Sequence, residues 1–163
     1  MTNRFRRTDN APYLAGLRLH GRRVVVVGAG AVAERRIPLL VEAGARVRVI
    51  APHASALIQR WADGGHLELI QRDFASGDLA EAWYVLAATN APEVNASAAA
   101  EAERGRTFCV RADDAYGSSA WTPATAEVDG VLVGVLAGGD PRRAVRIRSL
   151  LVETLTRLTR RAA

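Results

Sequence analysis

The chain reads as an α/β protein: a Rossmann-like parallel sheet followed by a small C-terminal hairpin-plus-helix segment. Three observations predict it. Four valines, Val24 to Val27, run straight into Gly28-Ala29-Gly30-Ala31-Val32-Ala33, as a buried strand turning tightly into a helix would. Apolar strand-like runs then alternate with helix-like stretches as far as Asp113, the grammar of crossover units and parallel pairing. Beyond Asp113 the alternation stops, and the last two strand-like runs have no helix between them.

Taken in order, residues 1 to 12 are polar, and "YLAGLRL" is a short apolar lead-in closed by His20-Gly21. "VVVV" is the first strand, with a helix over 31–43 in which Pro38 removes one backbone hydrogen bond and predicts a kink. A strand "ARVRVI" ending at Ile50, a helix near 54–63 and a strand "LELI" follow. Next come a weak helix at 77–82, the strand "WYVLAAT", a helix from Pro92 to Arg104 and the strand "TFCVRA". That makes five parallel strands. "DDAYGSSAWTP" is turn-rich, and Asp129-Gly130 joins the runs "ATAEV" and "VLVGVL" as a hairpin turn. Asp140-Pro141 supplies an N-cap followed by proline at the first helical position, opening an arginine-rich helix to about Arg160. Its apolar residues Ala144, Ile147, Leu151, Leu155 and Leu158 recur at helical spacing, so one face is expected to be buried. A hairpin and one helix are too little to fold alone. The reading is therefore a nucleotide-binding domain over 13–113 and an appended segment over 114–163.

Bulk properties narrow the function. At 163 residues, 49% apolar and 24% charged, the chain fits one globular domain with a short appendage. No apolar run is long enough for a membrane span, and the polar start has no signal core, so a cytoplasmic protein with no membrane partner is expected. The single cysteine, Cys109, excludes an internal disulfide and a multi-cysteine metal site. In the run "TFCV" it reads as packing. The net charge of +5 comes entirely from arginines, which are scattered except near Arg4 to Arg7 and Arg142 to Arg161. Without a helix-turn-helix, zinc or aromatic-platform pattern, this charge points to carboxylate or phosphate partners and away from nucleic acid. His20, His53 and His66 stand isolated, so no metal site is expected.

The glycine turn matches the G-x-G-x-x-G/A form of dinucleotide-binding proteins. Gly28 permits the tight turn, Gly30 lets backbone approach the pyrophosphate, and Ala33 keeps helix and strand close. Ala31, Val32 and Ala33 open the helix whose free amides would meet the phosphates. The usual ribose-binding acid is absent, since the second strand ends Ile50-Ala51-Pro52-His53. Ribose recognition then falls to the backbone, to Pro52 and His53 or to a neighbour, and spacing alone does not decide between NAD and NADP.

Beyond the turn, "VAERR" follows the glycines, "AATN" and "VN" follow the fourth strand, an aspartate ends the fifth, and Gly-Gly precedes the last helix. In this order the motifs resemble the precorrin-2 dehydrogenase/sirohydrochlorin ferrochelatase family, the dehydrogenase part of siroheme synthase, over about residues 13–158. The resemblance implies NAD as cofactor, precorrin-2 as substrate oxidised to sirohydrochlorin, ferrous iron as a second substrate for insertion, and a homodimer built by the segment after the sheet. It also implies Asp113 as the catalytic aspartate, with Asp114 beside it, and Thr89 and Asn90 as further cofactor contacts. A carboxylate at the end of the fifth strand could take the proton released as hydride leaves; the alternative is an Asx turn made by Asp113-Asp114. Because the implied substrate is rich in carboxylates, Arg142, Arg143 and Arg146, with Arg148, are substrate-binding candidates at the start of the last helix.

Three departures stand out. Val110 and Arg111 occupy positions where family members often carry Asn. Ser119-Ala120-Trp121-Thr122-Pro123 replaces an aromatic-rich run, and Ala137 precedes Gly138-Gly139 where many members have serine. These bear most on chelation. The competing class is a non-catalytic NAD-sensing regulatory module, which would have no use for a carboxylate facing the nicotinamide. A further possibility is that a methyltransferase domain follows residue 163.

Overall fold

A computed structural model describes residues 11–162. The order of elements is β1 (Arg23–Val27), α1 (Ala31–Glu42), β2 (Arg46–Ile50), α2 (Ala56–Asp63), β3 (Glu68–Ile70), β4 (Tyr84–Ala87), α3 (Pro92–Arg104), β5 (Phe108–Arg111), β6 (Ala124–Val128), β7 (Val131–Val135) and α4 (Pro141–Ala162). Two compact units result. Gly16–Ala120 forms one, and residues 11–15 with those from Trp121 onward form the other.

In the larger unit five parallel strands lie in the order β3-β2-β1-β4-β5, the arrangement of a Rossmann-like half. Side-chain alternation explains why the valine run carries no polar position. Val24 and Val26 join Val47, Val49 and Leu86 beneath Ala33, Ile37 and Ile58 of α1 and α2. Val25 and Val27 join Ile50, Val85, Ala87 and Cys109 beneath Ala98 and Ala102 of α3. Both faces are covered, as parallel sheets require. α1 runs unbroken through Pro38.

The helix expected at 77–82 is absent. Gly77 (φ 97) and Glu81 (φ 62) both adopt left-handed backbone, leaving too few residues between them for a helix. The segment makes tight turns instead, pinned by the Asp78 carboxylate, which accepts from the Ala75 amide at 2.8 Å, and by Glu101, which accepts from the Gly77 and Leu79 amides at 3.1 and 3.0 Å. Residues 114–120 stay with the sheet: the Ala120 amide donates to the Cys109 carbonyl at 3.1 Å, and Ser119 and Ser118 hydroxyls accept from the Cys109 and Arg111 amides at 2.9 Å each.

In the smaller unit β6 and β7 pair antiparallel. Asp129 (φ 48) and Gly130 (φ 78) give their turn the two positive φ values of a type I′ hairpin. The Asp140 carboxylate caps α4 by accepting from the Arg143 amide at 2.9 Å. The expected buried stripe of α4 is only partly buried. Ala144 is covered, Ile147 and Leu155 are half-buried, and Leu151 and Leu158 are exposed at 42% and 57%. Length is the reason: a helix of 22 residues reaches about 33 Å, whereas strands of 5 residues reach only about 17 Å.

Candidate functional site

One register row crosses the whole sheet, running Ile70, Ile50, Val27, Ala87, Arg111. Whatever follows these residues emerges on the carboxyl rim, where open parallel sheets hold ligands at the point at which strand order reverses. Gly28, the loop from Ala51, Thr89 and Asp113 are thereby brought to one edge. The concavity lined by Arg23, Arg46, Arg48 and His66 lies among strand beginnings, at the opposite edge.

The two glycines of the turn do different work. Gly28 has φ +104, and a Cβ there would stand 2.5 Å from the Ala88 carbonyl oxygen. Its amide donates to the Ile50 carbonyl at 2.9 Å, so the turn is locked to both neighbouring strands. Gly30 has ordinary extended backbone (φ −97), and a Cβ there would meet nothing within 4 Å. It caps α1 without any side-chain hydrogen bond. The amides of Ala31, Val32 and Ala33 are therefore the ones a helix leaves without intrahelical acceptors, and the first in-helix bond is from Glu34 to the Gly30 carbonyl at 3.0 Å. Ala33 is fully buried and holds α1 close to the sheet. Open space over Gly30 beside free amides fits a dinucleotide pyrophosphate.

After β2, the Ser55 amide donates to the Ala29 carbonyl at 3.3 Å, which holds the loop bearing exposed Pro52 and His53 against the glycine turn. After β4, Asn95 of α3 is the one fully buried polar side chain among the described residues. Its Oδ1 accepts from the Thr89 amide at 3.0 Å and the Thr89 hydroxyl at 2.8 Å, and its Nδ2 donates to the Thr89 carbonyl at 3.1 Å. Thr89 is thus engaged in fixing the entry to α3, while Asn90 beside it is exposed.

At the end of β5 the two aspartates separate. Asp114 makes the Asx turn, its Oδ1 accepting from the Tyr116 and Gly117 amides at 3.0 Å each. Asp113 is left out of that turn and is held by Arg111, whose Nη2 and Nε donate to the two carboxylate oxygens at 2.8 and 3.3 Å. The Arg111 guanidinium, with a smaller contribution from the Asn95 amide, holds the Asp113 carboxyl below the usual carboxylate range. Cys109, two residues before Arg111 on β5, is buried, and burial pushes its thiol up to about 11, which keeps it neutral.

Arg142, Arg143 and Arg146 belong to the other unit, where all three are exposed on the first turns of α4. Arg148 differs, since its Nη1 donates to the Thr125 carbonyl at 3.3 Å and ties α4 to β6. Neither Asn95 nor Arg111 falls within the glycine motif or at the strand-end aspartate that mark a site in the sequence. The signal for Asn95 was the "VN" after "AATN"; that for Arg111 was its two-residue spacing from Asp113.

No three His, Cys, Asp or Glu among the described residues gather as a metal site, and no helix among them is long and apolar enough to cross a membrane. Residues 15–124 match the family described as "Putative NAD(P)-binding". The siroheme synthase of Xylella fastidiosa (strain M12) is 36% identical over 158 residues, which is 93% of this chain and 33% of that protein. Siroheme synthase 1 of Aeromonas hydrophila is 38% identical over 117 residues, covering 72% of this chain and 25% of its own length. The chain spans about a third or less of these curated relatives. Among solved structures, SirC, a precorrin-2 dehydrogenase, superposes with a TM-score of 0.76 at 28% identity, covering 88% of this chain and 71% of SirC.

Proposed function

Because the chain belongs to the NAD(P)-binding family that its glycine turn and sheet order exemplify, we propose that it catalyses the NAD-dependent dehydrogenation of precorrin-2 to sirohydrochlorin, in siroheme biosynthesis. The observation that carries this reading is the likeness to the precorrin-2 dehydrogenase SirC across 88% of the chain, with the phosphate turn and a carboxylate on the same rim.

The nicotinamide cofactor, when bound, supplies the hydride acceptor. Everything else falls to this chain. The amides of Ala31, Val32 and Ala33 bind the pyrophosphate over Gly30, and Pro52, His53, Thr89 and Asn90 border the cofactor from the two neighbouring strand ends. The loop 51–55 carries no arginine to pair a ribose 2′-phosphate, which supports NAD over NADP. Asp113 takes the proton that substrate loses as hydride departs, so each dehydrogenation yields one NADH and one proton. Arg142, Arg143 and Arg146 bind substrate carboxylates. Ferrous iron is a second substrate, inserted into the product with release of the two inner N–H protons that it replaces. In this reading the cofactor belongs to the sheet unit, in which residues 114–120 also lie, and dimerisation to the hairpin and α4, and the free, buried Cys109 suits the cytoplasm.

The test is anaerobic incubation with precorrin-2 and NAD⁺. Sirohydrochlorin absorption rising together with NADH is the expected result; absence of both from folded, NAD-binding protein would overturn the reading.

A further inference from the structure

Resting on the reading of Asp113 as proton acceptor, we propose that Arg111 is its positioning residue: a clamped guanidinium that takes both oxygens of the Asp113 carboxylate and fixes them at the end of β5. Residues two apart at a strand end share a face, so Arg111 and Asp113 emerge side by side. The bond is two-pronged, at 2.8 and 3.3 Å, which sets orientation as well as charge.

Arg111 is itself held from the opposite side. Its amide donates to the Ser118 hydroxyl at 2.9 Å, and Nη1 lies 3.4 Å from Asp114 Oδ2. Gly117 makes room for it: a Cβ at that position would stand 2.8 Å from Arg111 Nη1 and 2.5 Å from Asp114 Oδ2. The result is a guanidinium only 13% exposed between two carboxylates, of which Asp113 is 26% exposed and Asp114 42%. Asp114 is committed to its turn, so Asp113 is the member that lies outside the turn.

Two adjacent carboxylates would repel each other and would also repel a substrate rich in carboxylates. Arg111 cancels one of the two charges. Among the described residues, Asp113 interacts with the Arg111 guanidinium and, from α3, with the uncharged Asn95 amide, while Arg111 in turn feels Asp114 and the buried thiol of Cys109. Asp113 then stays a carboxylate further into acid than an isolated aspartate would, and points one way.

Two substitutions separate charge from geometry. In Arg111→Gln the acid limb of the single-turnover NADH rate should move up by about one pH unit or more, the size of a lost neighbouring cation. Arg111→Lys keeps the charge and loses the fork, so its acid limb should stay near wild type while the rate at neutral pH falls about tenfold or more from lost orientation. Binding of NAD⁺ should be unchanged in both. The carboxyl midpoint of Asp113, read by carbon NMR on the ligand-free protein, should rise in the glutamine variant alone. An unmoved midpoint there would overturn the proposal, as would a lysine variant with wild-type rate at neutral pH. If the midpoint rises but wild type makes no NADH from precorrin-2, the clamp stands and the dehydrogenation reading fails. Should the glutamine variant not fold, the lysine variant still decides through its rate.

Discussion

At the scale of single residues, Gly28 and Gly30 look alike in a motif and part company in space. A methyl at Gly28 meets both a left-handed backbone and the Ala88 carbonyl at 2.5 Å, so Gly28→Ala should cost about 2–5 kcal/mol, the sum of positive-φ strain and overpacking, read as a drop in the urea midpoint. Gly30→Asp meets neither obstacle and should leave the midpoint nearly unchanged while abolishing NAD binding in calorimetry, because its carboxylate occupies the anion's place. Retained affinity in a folded Gly30→Asp protein would remove the phosphate from this turn. Asp113→Asn keeps size and shape, so the loss should fall on kcat, by about 10²–10⁴ as for a positioned general base, with both ligands still bound. A single-turnover rate within about threefold of wild type would move the base elsewhere. The positions of the glycines after β1 and of Asp113 just past β5 were legible because motif position and strand ends are written locally. The Arg111 fork was not, since a bidentate pair across one residue depends on how the chain bends after β5. Nor was the Asn95–Thr89 lock, which joins the end of β4 to the first turn of α3.

Elements show where local pattern misleads. The stretch Gly77–Ala82 has helix-forming composition, yet two left-handed residues and the Asp78 buckle make it a turn. That buckle is a pair of short bonds, Arg72 Nη2 and Nη1 to the two Asp78 oxygens at 2.6 and 2.7 Å, with the Asp78 side chain only 11% exposed. Arg72 holds the Asp78 carboxyl below its ordinary value. A depressed folded value means the stabilisation is complete above the unfolded value, about 4, and is lost as pH falls through the folded one. Wild type should therefore lose thermal stability on acidification that Arg72→Met, already without the pair, does not; parallel melting curves of the two proteins from neutral to acid pH would exclude the buckle as a contributor. On α4 the helical spacing was read correctly, as were the Asp140 cap and the Asp129-Gly130 turn. What spacing could not tell is how much of the stripe this chain covers, because that depends on the length of the surface opposite.

For the molecule as a whole, alternation of strand and helix sufficed for the five-stranded sheet and its parallel sense, and buried valines on both faces explain why. The exposed large apolar residues described on α4, Val145, Leu150, Leu151 and Leu158 at 44%, 64%, 42% and 57%, lie in the same unit as Val131 and Leu132 at 48% and 69%, a large amount of apolar surface for one small unit. A homodimer would cover it. Leu151→Glu with Leu158→Glu should give a monomer in sedimentation, its sheet intact by circular dichroism, and a wild type that already sediments as a monomer would refute the dimer. The sheet order has a temporal consequence as well. β1 is paired on both sides, by β2 and by β4, and its valines are fully enclosed, so its amides should be among the last to exchange with heavy water, opening only with the whole domain. Thr89 and Asp113 sit at the ends of later strands, and Pro52 and His53 in an exposed loop, where protection should decay sooner. Cofactor phosphates would thus rest on the slowest-breathing part of the chain while the reacting end of the ligand faces faster-moving backbone, a gradient that hydrogen exchange followed by mass spectrometry would trace peptide by peptide.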